Sequence, residues 1–274
     1  MKNKTRLLSA VVLMTVCMAT LGQRENIREA KPNEVPFVYN TSDYGKVEIE
    51  SVPKSVFQPG DTPTEAPAHS CYHLEDKRPL PALDQGARYF YPAYSTVCII
   101  PLTDTSVTDY AKSYPYIHEA AMKLRKLLAK RPAKFSANKD INDVPFNNAS
   151  AAIQSKVQYV YFKTGTGILF LTQYSQDMAP SPVNNEELTC NFQGLTTDGK
   201  YYVAARLAIT HPSLPKGIDF TNVPKREQDK KQTYLRKDEQ LLNSFSEDSF
   251  RPSLKSLKTL IASITTPNNE KRGP

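Results

Sequence analysis

The segment His69-Ser70-Cys71-Tyr72-His73 is the densest run of chemically able side chains in the sequence. On an extended strand alternate residues project to the same side, so His69, Cys71 and His73 would share one face. Imidazole nitrogen and thiolate sulfur are the usual zinc ligands, and three of them on one face could meet a single ion. A closed structural zinc site needs a fourth ligand, and no nearby residue supplies one at a familiar spacing. The competing reading is a polar strand beside a disulfide, or a solvated loop. No cofactor is called for by any other pattern in the chain.

Other routes to catalysis have less to work with. Cys98 lies in Thr96-Val97-Cys98-Ile99-Ile100 and Cys190 in Leu188-Thr189-Cys190-Asn191-Phe192. Both settings are strand-like, where a lone cysteine commonly serves as a small buried hydrophobe. A thiol nucleophile needs a base, and His118 or His211 could act as one only if the fold brought it close. There is no Gly-x-Ser-x-Gly elbow. Gly165-Thr166-Gly167 lacks the helix and further glycine of a dinucleotide loop and reads as a turn. Asp104, Asp109, Asp140 and Asp143 fall in loop-like stretches and read as turn or capping residues. A non-enzymatic protein is expected, with a hydrolase or thiol-dependent enzyme as the rival.

The chain that positions these residues begins like an export signal. Lys2, Lys4 and Arg6 precede an uncharged, mainly apolar run from Leu7 to Ala19. That run suits a signal-peptide core and is shorter than the roughly 20 residues needed to cross a bilayer. Small residues place cleavage after Ala19 or Gly22, so residues 1–22 are assigned as a leader. Acylation at Cys17, as in bacterial lipoproteins, is the alternative ending. The expected destination is periplasmic or extracellular, with membrane anchoring only through Cys17.

Removing that leader changes the composition argument. The formal charge of +7 includes Lys2, Lys4 and Arg6, so the mature chain carries +4 over 252 residues. That is mildly basic and does not argue for nucleic acid. No later segment is long and apolar enough to span a membrane as a helix. Cys71, Cys98 and Cys190 remain; outside the cytosol thiols tend to pair, and three allow one internal disulfide with one thiol left over.

Residues 23–68 are proline-rich and polar, with disorder expected over the first dozen mature residues. Within them Lys46-Val47-Glu48-Ile49-Glu50 alternates as an edge strand with one wet face. A single α+β domain is expected over 69–266, followed by a disordered tail at 267–274. Ser70–Leu74 and Ser95–Leu102 read as strands. Pro115 suits a first helical turn, and Ile117, Ala121, Leu124 and Leu128 form one apolar stripe on a helix near 115–131.

Residues 155–210 predict a four-strand antiparallel meander. Its strands are Lys156–Lys163, Ile168–Tyr174, Glu187–Gln193 and Tyr201–Ile209. Thr164-Gly165-Thr166-Gly167 is read as the first turn. Thr197-Asp198-Gly199-Lys200 is read as a tight hairpin, since Asp-Gly tolerates the positive φ angles that a type I′ turn needs. A charged helix at 225–243 precedes a second one near 253–264, where Leu254, Leu257, Ile261 and Ile264 form a stripe that needs the meander's inner face. Helices packed on an antiparallel sheet define the α+β class.

Several of these segments carry a resemblance. Pro145-Phe146-Asn147, Lys156-Val157-Gln158-Tyr159, Gly165-Thr166-Gly167 and Leu171-Thr172-Gln173-Tyr174 belong to it. So do Gln193-Gly194-Leu195-Thr196-Thr197-Asp198-Gly199-Lys200-Tyr201-Tyr202-Val203 and His211-Pro212-Ser213-Leu214-Pro215. Together they resemble an uncharacterised family of secreted or lipid-anchored bacterial proteins that share the hairpin motif. The similarity spans about residues 95–264. It implies an exported bacterial domain and supplies no active site.

The fifteen tyrosines offer one further surface. Tyr159, Tyr161, Tyr174, Tyr201 and Tyr202 fall on meander strands, where some must face outward, and aromatic sheet faces can bind partners. The basic helix face and Lys225–Lys237 are interleaved with Glu227, Asp229, Asp238 and Glu239, as in ordinary solvated helices. The expected function is an exported non-enzymatic binding or interaction domain. Its partner would be an unidentified envelope or extracellular protein or ligand. A soluble carrier of a small apolar ligand is the further alternative.

Overall fold

A computed structural model describes residues 27–31, 33–56, 65–77, 95–146, 149–175, 182–217 and 231–267. The expected leader, the start of the charged helix at 225–230 and the tail from 268 lie outside the described residues.

In chain order the strands are β1 (Ile27–Glu29), β2 (Tyr44–Val52), β3 (His69–Asp76), β4 (Ser95–Pro101), β5 (Ser150–Ala151), β6 (Ser155–Phe162), β7 (Gly165–Thr172), β8 (Tyr174–Ser175), β9 (Thr189–Thr196) and β10 (Tyr201–Ala208). The helices are α1 (Tyr110–Ser113), α2 (Pro115–Lys130), α3 (Ala137–Asp140), α4 (Lys231–Ser244) and α5 (Leu254–Ser263), with a 3-10 turn at Glu247–Ser249 before the last. Eight strands form one antiparallel sheet in the order β1-β2-β3-β4-β10-β9-β7-β6, and β5 pairs with β8 apart from it. The sheet is two meanders, β1 to β4 and β6 to β10, joined where β10 lies antiparallel to β4. This is the α+β architecture expected from the sequence.

The strand alternation explains the layers. Val97 and Ile99 on β4, Leu169 and Leu171 on β7, Cys190 and Phe192 on β9, and Val203, Ala205 and Leu207 on β10 all join one core. Leu242 of α4 and Leu254, Leu257, Leu260 and Ile261 of α5 cover that face. The intervening residues Cys98, Ile100, Ile168, Phe170, Leu195, Tyr202 and Ala204 join a second core under α2. Both faces of the central strands are therefore covered, and every residue of β9 is buried. A fully buried Leu or Phe contributes about 1.5–3 kcal/mol, so each helix is held mainly by its stripe. On α2 the buried set includes Ile117, Ala121, Leu124 and Leu128. The helix ends with the Arg131 N–H donating to the Leu127 carbonyl at 2.8 Å, and Arg131 itself turns left-handed at φ 43°, just before Pro132.

Four local expectations are corrected. The Lys46–Glu50 strand is not an edge, because β1 pairs outside it; β1 also gives regular structure to part of the stretch expected to be disordered. Gly165, Thr166 and Gly167 lie on β7, not in a turn. A Cβ on Gly167 would sit 2.4 Å from the Gln193 carbonyl and 2.4 Å from the Phe192 ring, so the glycine makes room for that ring. The hairpin after β9 has one left-handed residue, Gly199 at φ 70°, where a type I′ turn needs two. Thr196 Oγ1 accepts from the N–H groups of Lys200 and Tyr201 and shapes that loop instead.

Candidate functional site

The strand register sorts the α2-facing side of the sheet into cross-strand rows. Glu50, Cys71, Cys98, Ala204, Gln193 and Ile168 stand in one row. Glu48, His73, Thr96, Arg206, Asn191 and Phe170 stand in the next. The second row is largely polar although its central strands lie inside the sheet. Polar groups in such a place need partners from above, and the loop after α3 supplies them.

Asp143 is the main partner. Its Oδ2 accepts from Arg206 Nη2 at 2.6 Å, and its Oδ1 accepts from the Tyr174 hydroxyl at 2.8 Å and Asn191 Nδ2 at 2.9 Å. The Arg206 guanidinium also lies 4.7 Å from the centre of the Tyr174 ring. Gln193 Nε2 donates to the Val144 carbonyl at 3.0 Å, and Tyr202 donates to Gln193 Oε1 at 2.8 Å. Tyr116 of α2 donates to the Asp143 carbonyl at 2.7 Å. Asp143 was expected to be a turn or capping residue; it is the charged pin that holds residues 141–146 over the sheet. Burial, reinforced by the negative Asp143, raises the Tyr174 hydroxyl well above its ordinary pKa, so it stays a donor.

Between this loop, the start of α2 and strands β2 to β4 lies a cavity of about 280 Å³. Much of its wall is apolar: Val52, Ala66, Ile100, Ile117, Phe146 and the Cys71–Cys98 disulfide. Its polar groups are Glu50, Glu65, His69, His73 and Thr96. Tyr116 lines this cavity and also a second one of about 180 Å³, whose wall includes Asn142, Asp143, Ser150 and Tyr174.

The hydrogen bonds fix both imidazoles. The Pro67 carbonyl can only accept, so His69 Nδ1–H donates to it at 2.8 Å and leaves Nε2 with its lone pair. Burial keeps His69 neutral by lowering its pKa, against the Pro67 bond and the Glu50 charge. His73 Nε2 donates to Glu50 Oε2 at 2.8 Å, and Nδ1 faces the Thr96 hydroxyl at 3.3 Å. Glu65 differs from all of these. It is 2 % exposed, and its Oε2 is buried with no hydrogen-bond partner among the described residues.

The residues singled out from the sequence are dispersed in part. His69 and Cys71 come together, but with Cys98 in place of His73. Cys71 and Cys98 face each other across β3 and β4 as a disulfide, with Cα atoms 4.1 Å apart. Cys190 is the remaining thiol among the described residues, buried on the opposite face among Leu171, Phe192 and Leu207, and burial pushes its pKa up to about 12. A thiol so held is no nucleophile. His118 is exposed on α2, and His211 stacks on Phe245 at 3.5 Å while facing Ser249. The tyrosines do not form one face. Tyr202 is fully buried and Tyr174 belongs to the Asp143 cluster, while Tyr159 and Tyr161 flank Arg131. Tyr201 packs at the margin of the other core.

Glu65, Glu50, Thr96, Arg206 and Asn191 were not picked out by motif, and Gln193 only as the start of the hairpin motif. A signal was present for four of them. Thr96, Asn191, Gln193 and Arg206 are polar residues at alternate positions of strands that are otherwise apolar, which marks a buried polar row. Glu65, between prolines in an irregular link, carries no such mark. The chain matches no protein-family model, no curated protein and no solved structure.

Proposed function

We propose that the mature chain is an exported, non-enzymatic binding domain. Its ligand is a small molecule with an apolar body and one protonated amine, held in the cavity beneath the start of α2. The observation that carries this reading is Glu65, which lines a largely apolar space and whose Oε2 is buried with no hydrogen-bond partner among the described residues. An unpaired buried carboxylate is costly, and a ligand ammonium group removes that cost. Tyr116 and Phe146 add aromatic surface that favours the same cation. The volume lies near the lower end of small-molecule sites, which run from about 300 to 1,000 Å³. Export rests on the charged and apolar N-terminal pattern, and the disulfide agrees with an oxidising compartment.

The test is native mass spectrometry of the domain purified from the culture or envelope fraction of its own host. A bound species of small mass, released on denaturation and carrying an amine, is the expected result. The same spectrum reads the N-terminus: a chain starting after Ala19 or Gly22 supports export, and a lipid mass on Cys17 supports anchoring.

A second reading, a hydrolase, has one observation in its favour. Glu50, His73 and Thr96 line up as carboxylate, imidazole and hydroxyl along the cavity wall. This is the order that activates a nucleophilic hydroxyl. Against it, β4 is paired on both sides, so its backbone N–H groups are committed to the ladder and offer no oxyanion site near Thr96. Hydrolysis of small esters that disappears in Thr96→Val would favour this reading over binding.

A further inference from the structure

We propose that the Cys71–Cys98 disulfide is the closed form of a soft-metal site. When it is reduced, the two sulfurs and His69 bind one zinc-type cation with a fourth position open to the cavity. This proposal does not rest on the amine-ligand reading, since it uses a different redox state and different atoms.

One imidazole nitrogen of His69 and both sulfurs lie within 4.8 Å of one another, the one such group among the described residues. Two thiolates and one imidazole, with a fourth position left to water or substrate, is an established composition for an open zinc site. The second observation is the orientation of His69. Its Nδ1–H is held by the Pro67 carbonyl, which leaves the Nε2 lone pair available. Metal-bound histidines are held in this way, through the ring nitrogen that does not touch the ion. The third is location. Both cysteines and His69 line the cavity, so the open position faces space rather than packed side chains.

His73 is not part of the set, because Glu50 and Thr96 hold both of its nitrogens. The strand spacing brings three donors together, but the third comes from β4 and not from the next position on β3.

The chemistry balances with a dithiol as reductant. The S–S bond breaks, the reductant supplies two electrons and two protons, and it leaves as its own disulfide. Each of the two thiols then loses its proton as the cation binds.

The experiment uses the mature chain carrying Cys190→Ser, so that the thiols under study are the only ones. The protein is reduced with dithiothreitol, freed of reductant without air, and titrated with Co²⁺, whose thiolate charge-transfer bands report sulfur ligation. The expected result is saturation at one equivalent, displacement by Zn²⁺, and no such bands in the oxidised protein. His69→Ala should weaken Co²⁺ binding at least tenfold, and His118→Ala, on the exposed helix face, should not. Absence of charge-transfer bands in the reduced protein would overturn the proposal, as would unchanged affinity in His69→Ala. If His69→Ala does not fold, the cadmium-113 resonance of the reduced Cys190→Ser protein decides. A position typical of two sulfurs and a nitrogen supports the site, and one typical of oxygen ligands alone overturns it.

Discussion

Arg206, on the central strand β10, donates to Asp143, in the loop after α3, at 2.6 Å. The two are separated by 63 residues, and each side chain is only about one-fifth exposed, at 21 % and 18 %. The ion pair joins the sheet floor to the segment that roofs both cavities. The Tyr174 hydroxyl and the Asn191 amide complete the shell of the carboxylate.

Removing one partner leaves the other charge half-buried and uncompensated. Asp143→Ala is expected to lower the unfolding free energy by about 2–3 kcal/mol, somewhat less than a fully buried pair would lose. Replacing both residues together, as Asp143→Ala with Arg206→Met, should cost less than the two single losses added. Urea unfolding of the four proteins in a double-mutant cycle measures the coupling. Additive losses would mean that the pair does not hold the loop.

His211 sets an acid limit on stability. Its Nδ1 accepts from the Ser213 N–H at 3.1 Å, so Nε2 carries the proton toward Ser249. Burial lowers its pKa, and the nearby Arg251 lowers it further. The folded value lies below the unfolded one of about 6.5, so the unfolded chain takes up a proton first as the pH falls. The contribution is full above that value and is lost as the pH drops through the window beneath it. Urea midpoints between pH 7 and pH 5 should fall more steeply for the wild type than for His211→Phe. Equal slopes would show that His211 titrates alike in both states.

The close approach of β7 and β9 makes Gly167 a sensitive position. It stands opposite Gly194, and the Phe192 ring fills the space that a Cβ would take. Gly167→Ala should cost about 3 kcal/mol through overpacking. Phe192→Leu in the same chain should recover part of that loss by withdrawing the ring, and the rest should remain because the Gln193 carbonyl is backbone. Thermal unfolding of the single and double variants reads both effects.

How far the sequence spoke depended on whether a feature was periodic. The stripe Ile117, Ala121, Leu124 and Leu128 and the stripe Leu254, Leu257, Ile261 and Ile264 mark helices whose buried faces match them. The meander over 155–210 follows from alternation and turn residues in the same way. The glycines of β7 misled because glycine in a turn and glycine beneath an aromatic ring look alike without the partner strand. Pairing β4 with β10, across about 100 residues, required the register, and with it the row containing Thr96, Arg206 and Asn191. For the site, His69 and Cys71 were legible on one strand, whereas Cys98 and Glu65 joined them only through the fold.

The central claim is that the Glu65 carboxylate receives a ligand cation, and calorimetry with matched probes tests it most directly. 2-Phenylethylamine and 2-phenylethanol share a body and differ in charge. The oxidised mature chain should bind the amine more tightly than the alcohol, and Glu65→Gln should reduce amine affinity about thirtyfold, a loss of about 2 kcal/mol. Glu65→Gln should bind the alcohol as the wild type does and unfold at no lower temperature. Equal binding of both probes to the wild type, or amine binding unchanged in Glu65→Gln, would contradict the account.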